Sequence, residues 1–191
     1  MVGGSLRIET KQSCRIAIFG GSFDPPHFGH VSIIAWLLST NQADYVWMVP
    51  CWRHMFGKRL VPFKHRMAMC QKAASIFSRC SVLDVEKDLG GRSLMLRTIQ
   101  ALKSYPIYQN MEFSLVIGLD NWLVRDKWEG FDQIQQECRI IVVGKDDQPR
   151  LPDIRSTLVR NSIAAGESVI NMVPDAVLAH IREYKFYGYQ Q

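Results

Sequence analysis

The stretch that most constrains what this chain can fold into spans residues 20–30 and reads Gly-Gly-Ser-Phe-Asp-Pro-Pro-His-Phe-Gly-His. It follows an apolar run with strand character at 15–19 and precedes a run with helix character at 31–38. The order is therefore strand, glycine turn, helix start. Gly20 and Gly21 lack a Cβ, so the backbone can turn sharply there and a ligand can come close. Pro25 and Pro26 are tolerated in a helix only within its first turn, which sets the helix start near His27. His27 and His30 then lie three apart on one helical face, at the end where backbone N–H groups are free. That end carries partial positive charge and favours an anion, phosphate above all.

The rest of the chain alternates in the same way. Apolar runs at 44–49, 81–85, 112–117 and 139–143 read as further strands. Helical spacing is expected over 66–77, from Ser93 as cap to about 103, and over 122–136 with a break at Gly130. Residues 88–93 read as a turn between strand and helix. Another helix should begin near Ser156 or Thr157 as cap and stop at Gly166, and a last one should end near Tyr187. Nearly continuous apolar strands separated by helices predict an α/β fold: a Rossmann-like, doubly wound parallel sheet of five to six strands, with helices on both faces. The turns after the strands then share one sheet edge, where such folds bind ligands.

Composition sets limits on function. With 191 residues, 47% hydrophobic and 21% charged, the chain is expected to form one domain, 1–191, with residues 1–13 as a loose leader. The net charge of +5 suits an anionic ligand but is too small and scattered for a nucleic-acid binder. No apolar run approaches the ~20 residues of a membrane span, and the first residues lack the apolar core of a signal peptide. Cys14, Cys51, Cys70, Cys80 and Cys138 have neither zinc-type spacing nor even number, and read as small apolar residues in a reducing compartment. A cytoplasmic location is expected. A homo-oligomer is left open.

Residues 153–160, Asp-Ile-Arg-Ser-Thr-Leu-Val-Arg, offer a second anion site. Hydroxyls and free amides open a helix, and Arg160 stands one turn beyond Ser156 on the same face. Alone this would be an ordinary capped helix; beside the first motif it completes a triphosphate clamp.

The first motif resembles that of the nucleotidyltransferases marked by His-x-Gly-His, whose two histidines stabilise the α-phosphate of a nucleoside triphosphate. The second resembles the Ile-Ser-Ser-Thr-x-Ile-Arg signature of nicotinate and nicotinamide mononucleotide adenylyltransferases, and the similarity covers residues 14–187. The resemblance implies transfer of adenylyl from ATP to nicotinate mononucleotide, as in the bacterial nicotinate-type enzymes, giving nicotinate adenine dinucleotide and pyrophosphate. It implies that His27, His30 and Arg160 are catalytic. Gly20, Gly21, Ser22, Phe23, Lys58, Gly118, Asp120, Ser156 and Thr157 would bind ATP, with Asp120 accepting from ribose hydroxyls. Ser93, Leu94 and Met95 would hold the acceptor carboxylate through backbone amides, and Trp128 would stack on the pyridine ring. Trp122 reads as packing, and His54 and Arg66 are secondary candidates. Mg²⁺ would arrive with ATP, with no metal cage in the protein.

Three departures from the family pattern stand out. Arg155 replaces the first serine of the signature. Leu94 and Met95 stand where the family's Ser-Tyr-Thr loop, similar to residues 91–95, has tyrosine and threonine. The 143–153 connection is short. Alternatives are an acceptor such as nicotinamide mononucleotide or phosphopantetheine, or a nucleotide sensor without turnover. A class I aminoacyl-tRNA synthetase fragment shares a similar first motif, but this chain lacks that family's lysine-rich second loop.

Overall fold

The computed structural model describes residues 13–54, 57, 59–92, 94–144, 148 and 150–189. Five strands form one sheet: β1 (Cys14–Gly21), β2 (Tyr45–Pro50), β3 (Cys80–Val82), β4 (Met111–Gly118) and β5 (Arg139–Val143). Their order is β3-β2-β1-β4-β5, and every neighbouring pair is parallel. The doubly wound α/β expectation holds, at the lower strand number. After β1 the chain builds outward through β2 and β3, then returns to place β4 on the other side of β1. The winding therefore reverses between β1 and β4, which opens a crevice beyond their carboxyl ends.

Each strand alternates its side chains between two cores. On one face Ile16, Ile18, Trp47, Leu115 and Ile117 meet Ile99 and Leu102 of α4 (Met95–Ser104) and Phe131 and Ile134 of α6 (Phe131–Glu137). On the other, Ala17, Phe19, Met48 and Val116 meet Ile34 and Leu37 of α1 (Phe28–Ser39) and Cys70 of α2 (Phe63–Ala74). A third cluster joins Met69 and Ala73 of α2 to Val159 and Ile163 of α7 (Ser156–Ala164) and Val177 and Ile181 of α8 (Asp175–Glu183). That cluster matters for function, because it docks α7 beside the glycine turn.

Several expected boundaries shift. The strand expected over 81–85 is Cys80–Val82, and Val85 opens the short α3 (Val85–Leu89), so part of the expected 88–93 turn is helical. Glu86 and Asp88 lie in the first turn of α3, where acidic residues favour a helix start. The stretch at 122–136 divides into α5 (Leu119–Leu123), a 3₁₀ turn (Arg125–Lys127) and α6, with the expected break at Gly130, held at φ +75°. The last helix ends at Glu183, and Tyr187 falls in a following 3₁₀ turn, Phe186–Gly188. Cys70 and Cys138 are buried, the other three cysteines are half-buried, and all five are free thiols. No helix among the described residues is long and apolar enough to cross a membrane.

Candidate active site

The glycine turn is shaped by close packing. A Cβ on Gly20 would meet the ε-methyl of Met95, so the Met95 side chain rests directly on the bare backbone of residue 20. Phe23, wholly buried, adopts φ +47° and turns its ring against His30 at 4.9 Å and Phe19 at 5.5 Å. Pro25 and Pro26 precede the helix rather than opening it: His27 is the N-cap of α1 and Phe28 its first residue. A Cβ on Gly29 would press on the His27 ring and, at 3.1 Å, on the Ile154 carbonyl. The glycine between the histidines thus lets the approach to α7 run directly over α1.

The two imidazoles lie 3.7 Å apart, tilted by 32°. The backbone N–H of His27 donates to His30 Nδ1 at 3.1 Å. In a neutral ring the His30 proton then sits on Nε2, which becomes a donor. Burial lowers the His27 pKa to about 4. Burial, together with the neighbouring His27, takes His30 well below its usual range. Both rings are therefore neutral near pH 7. His30 lines the cavity, whereas His27 stands behind it, its buried Nδ1 without a hydrogen-bond partner among the described residues.

The second signature meets the first through direct bonds. Arg160 Nη1 donates to the Asp24 carbonyl at 2.6 Å, and Nη2 donates to Thr157 Oγ1 at 3.0 Å. Ser156 Oγ donates to the Pro25 carbonyl at 2.9 Å. The hydroxyl is used across the interface, so neither Ser156 nor Thr157 caps α7; the N-cap is Arg155. Ser156 and Arg160 line the cavity, while Thr157 is exposed and lies outside its lining. Asp24 is buried, with its carboxylate accepting from the Tyr187 hydroxyl at 2.7 Å and the Val61 N–H at 3.4 Å.

Across the crevice, Gly118 is the N-cap of α5 and Asp120 lies in its first turn. Arg155 Nη2 reaches Asp120 Oδ2 at 3.3 Å and Arg155 Nε reaches Asp153 Oδ1 at 3.4 Å. The residue that departs from the signature therefore ties the two rims together. Leu94, the N-cap of α4, lines the cavity with Met95 and Trp128. Trp128 packs edge-on against Phe131 at 6.0 Å, while Trp122 lies under the Arg125 guanidinium at 4.3 Å. Arg92 pairs with Glu129 at 3.6 Å on the exposed rim. Lys58 and Ser93 lie outside the described residues.

These elements enclose one cavity of about 1060 Å³, open to solvent and fed by the turns after β1, β2, β4 and β5. Its volume suits a nucleoside triphosphate together with a second nucleotide. Among the described residues no three His, Cys, Asp or Glu side chains gather as a cation site. Sequence reasoning missed four contributors: Asp24, Glu86, Tyr187 and the depth of Arg66. Asp24 sits inside the first motif, which was a signal; the partners of the others are distant in sequence.

Comparison with known proteins identifies the family. The cytidylyltransferase-like family pattern matches residues 18–162. A protein of Anaeromyxobacter dehalogenans named "Probable nicotinate-nucleotide adenylyltransferase" is 38% identical over 182 residues, covering 90% of this chain and 96% of that one. One of the same name from Myxococcus xanthus is 32% identical over 190 residues, covering 93% and 97%. Among solved structures, Plasmodium falciparum nicotinic acid mononucleotide adenylyltransferase complexed with NaAD superposes with a TM-score of 0.76 at 17% identity, covering 93% of this chain and 98% of that one.

Proposed function

Because this chain belongs to the cytidylyltransferase-like family, we propose that it is a cytoplasmic nicotinate-nucleotide adenylyltransferase acting in NAD biosynthesis. A phosphate oxygen of nicotinate mononucleotide attacks the α-phosphorus of ATP. The new P–O bond forms as the α–β bridging bond breaks, and pyrophosphate leaves with the electron pair. The nucleophile is already an anion, so no general base is needed, and the protein contributes position and charge stabilisation. His30 Nε2–H donates to the α-phosphate oxygens as charge builds. His27 supplies a second imidazole beside it. Arg160 and Ser156 hold the triphosphate from the α7 side, and Asp120 takes the ribose once Arg155 releases it. Leu94, Met95 and Trp128 receive the pyridine nucleotide. Mg²⁺ enters as part of the ATP substrate and neutralises charge on the phosphates.

The observation that carries this reading is the pair of bonds from α7 to the glycine turn, Arg160 to Asp24 and Ser156 to Pro25. They aim two helix N-termini at one cavity large enough for both substrates. A coupled pyrophosphate-release assay tests it, with ATP and either nicotinate mononucleotide, nicotinamide mononucleotide or phosphopantetheine. Release is expected fastest with nicotinate mononucleotide. Release with phosphopantetheine alone would overturn the reading.

A further inference from the structure

Two charged side chains buried outside the phosphate clamp bond the same stretch of backbone, residues 51 and 52. Arg66, at 1% exposure, sends its guanidinium under the crevice. Its Nε donates to the Val61 carbonyl at 2.9 Å, Nη1 to the Ser22 carbonyl at 2.9 Å, and Nη2 to the Cys51 carbonyl at 2.7 Å. Glu86, at 4% exposure, lies on α3 and lines the cavity. Its Oε2 accepts from the Trp52 N–H at 3.0 Å, and its Oε1 lies 3.3 Å from the Thr98 hydroxyl, which shares its proton with the Leu94 carbonyl at the same distance. Trp52 follows Cys51 directly, and Thr98 belongs to α4.

A continuous polar chain therefore runs from Ser22 in the glycine turn, through Arg66, the 51–52 backbone and Glu86, to Thr98 on the helix whose first turn lines the acceptor end. Burying an ion is costly unless it is well bonded. A Leu or Met at either position would fill the space without that cost. Two buried charges that both bond the 51–52 backbone, Arg66 through the Cys51 carbonyl and Glu86 through the Trp52 N–H, point to a demand for geometry rather than for packing. In-line transfer makes that demand, since donor and acceptor must be held in register across the crevice.

Building on the function proposed above, we propose that Arg66 and Glu86 are positioning residues that brace the 51–52 loop and so fix the ATP turn relative to the acceptor helix. The brace sets alignment between the bound substrates more than affinity for either one. Loosening it from either end releases the same loop, so the two effects overlap.

The test compares wild type with Arg66→Lys, Glu86→Gln, the double variant and Thr98→Val, using ATP and nicotinate mononucleotide. Each is checked for folding by circular dichroism, and ATP affinity is measured separately by titration calorimetry. Each of the two charge variants should lower kcat by about 10-fold or more, the scale on which small misplacements act, with ATP affinity within about three-fold. The double variant should match the slower single rather than multiply the two losses. Thr98→Val is close to isosteric and keeps the test decisive if a charge variant fails to fold: its kcat should fall at least about three-fold. Folded variants with wild-type kcat, losses that multiply in the double, or an unchanged Thr98→Val would each overturn the brace. Absence of turnover in wild type would instead overturn the adenylyltransferase reading, so the two failures are distinguishable.

Discussion

The backbone N–H of His27 donates to Nδ1 of His30 at 3.1 Å. That bond uses the acceptor nitrogen of His30 and leaves Nε2 to carry the proton, on a residue that lines the cavity. The N-cap of α1 thereby sets the tautomer of its own third residue. A neutral imidazole can then serve as a hydrogen-bond donor without first taking up a proton.

His30→Ala removes this donor, and His27→Ala removes both the tilted neighbouring ring and its buried Nδ1. Each should lower kcat by ~10²–10³, the scale for losing one donor to a developing charge. ATP affinity should change far less. Steady-state kinetics beside direct ATP titration separates the two quantities, and near-wild-type turnover in either variant would refute the assignment.

Acid should destabilise the fold through the same residues. His27 titrates at about 4 in the folded chain against an ordinary 6.5, because burial disfavours its charged form. Between those values the unfolded chain binds more protons, so stability falls as pH drops from 6.5 towards 4. The His27 share is about 3 kcal/mol over that window. His30 shifts in the same direction. Denaturant titrations at pH 7.5, 6 and 5 should show the loss, and His27→Ala should flatten it. Equal slopes in variant and wild type would contradict this.

Much of this was legible in the residues themselves. The apolar runs that became β1, β2, β4 and β5 are each five or more residues long and bounded by polar or turn residues. β3 was misjudged at its end because Val82, Leu83 and Val85 are apolar in either conformation; the helix begins only because the chain turns at Asp84. The clamp was legible as two motifs, but its capping was not. Ser156 has the chemistry of an N-cap, yet its hydroxyl is taken by Pro25, 131 residues away. Glu86, and the depth at which Arg66 is buried, were hidden for the same reason: most of their partners are backbone groups brought close only by the fold.

The clamp predicts different outcomes for two arginines of α7. Arg160→Ala removes a charge-assisted contact of ~1.5–3 kcal/mol and should raise the ATP requirement by at least ten-fold. Arg155→Ser breaks an exposed pair with Asp120, worth at most ~1 kcal/mol, and frees that carboxylate for ribose. Its ATP KM should stay within a few-fold of wild type. Equal losses in the two variants would mean the helix face is misassigned.

Selectivity for the acceptor should come from α4. Its N-cap Leu94 makes no side-chain capping bond, so first-turn amides are available to a carboxylate. Nicotinamide would turn its own N–H donors towards those amides, a mismatch of ~1–3 kcal/mol. Nicotinate mononucleotide should be preferred by about ten-fold or more in kcat/KM. Trp128→Ala should weaken both acceptors in similar proportion, because a ring face stacks on either. A selective loss for one acceptor would place Trp128 in carboxylate recognition instead.

The central claim is the bond that forms, so the most direct measurement is identification of the product. The chain is incubated with ATP, Mg²⁺ and nicotinate mononucleotide, and the mixture is resolved by mass spectrometry while pyrophosphate is followed in parallel. Nicotinate adenine dinucleotide and pyrophosphate should form in equal amounts, both ~10²–10³-fold more slowly with His30→Ala. Consumption of ATP without dinucleotide, or dinucleotide formation at an undiminished rate in His30→Ala, would contradict this.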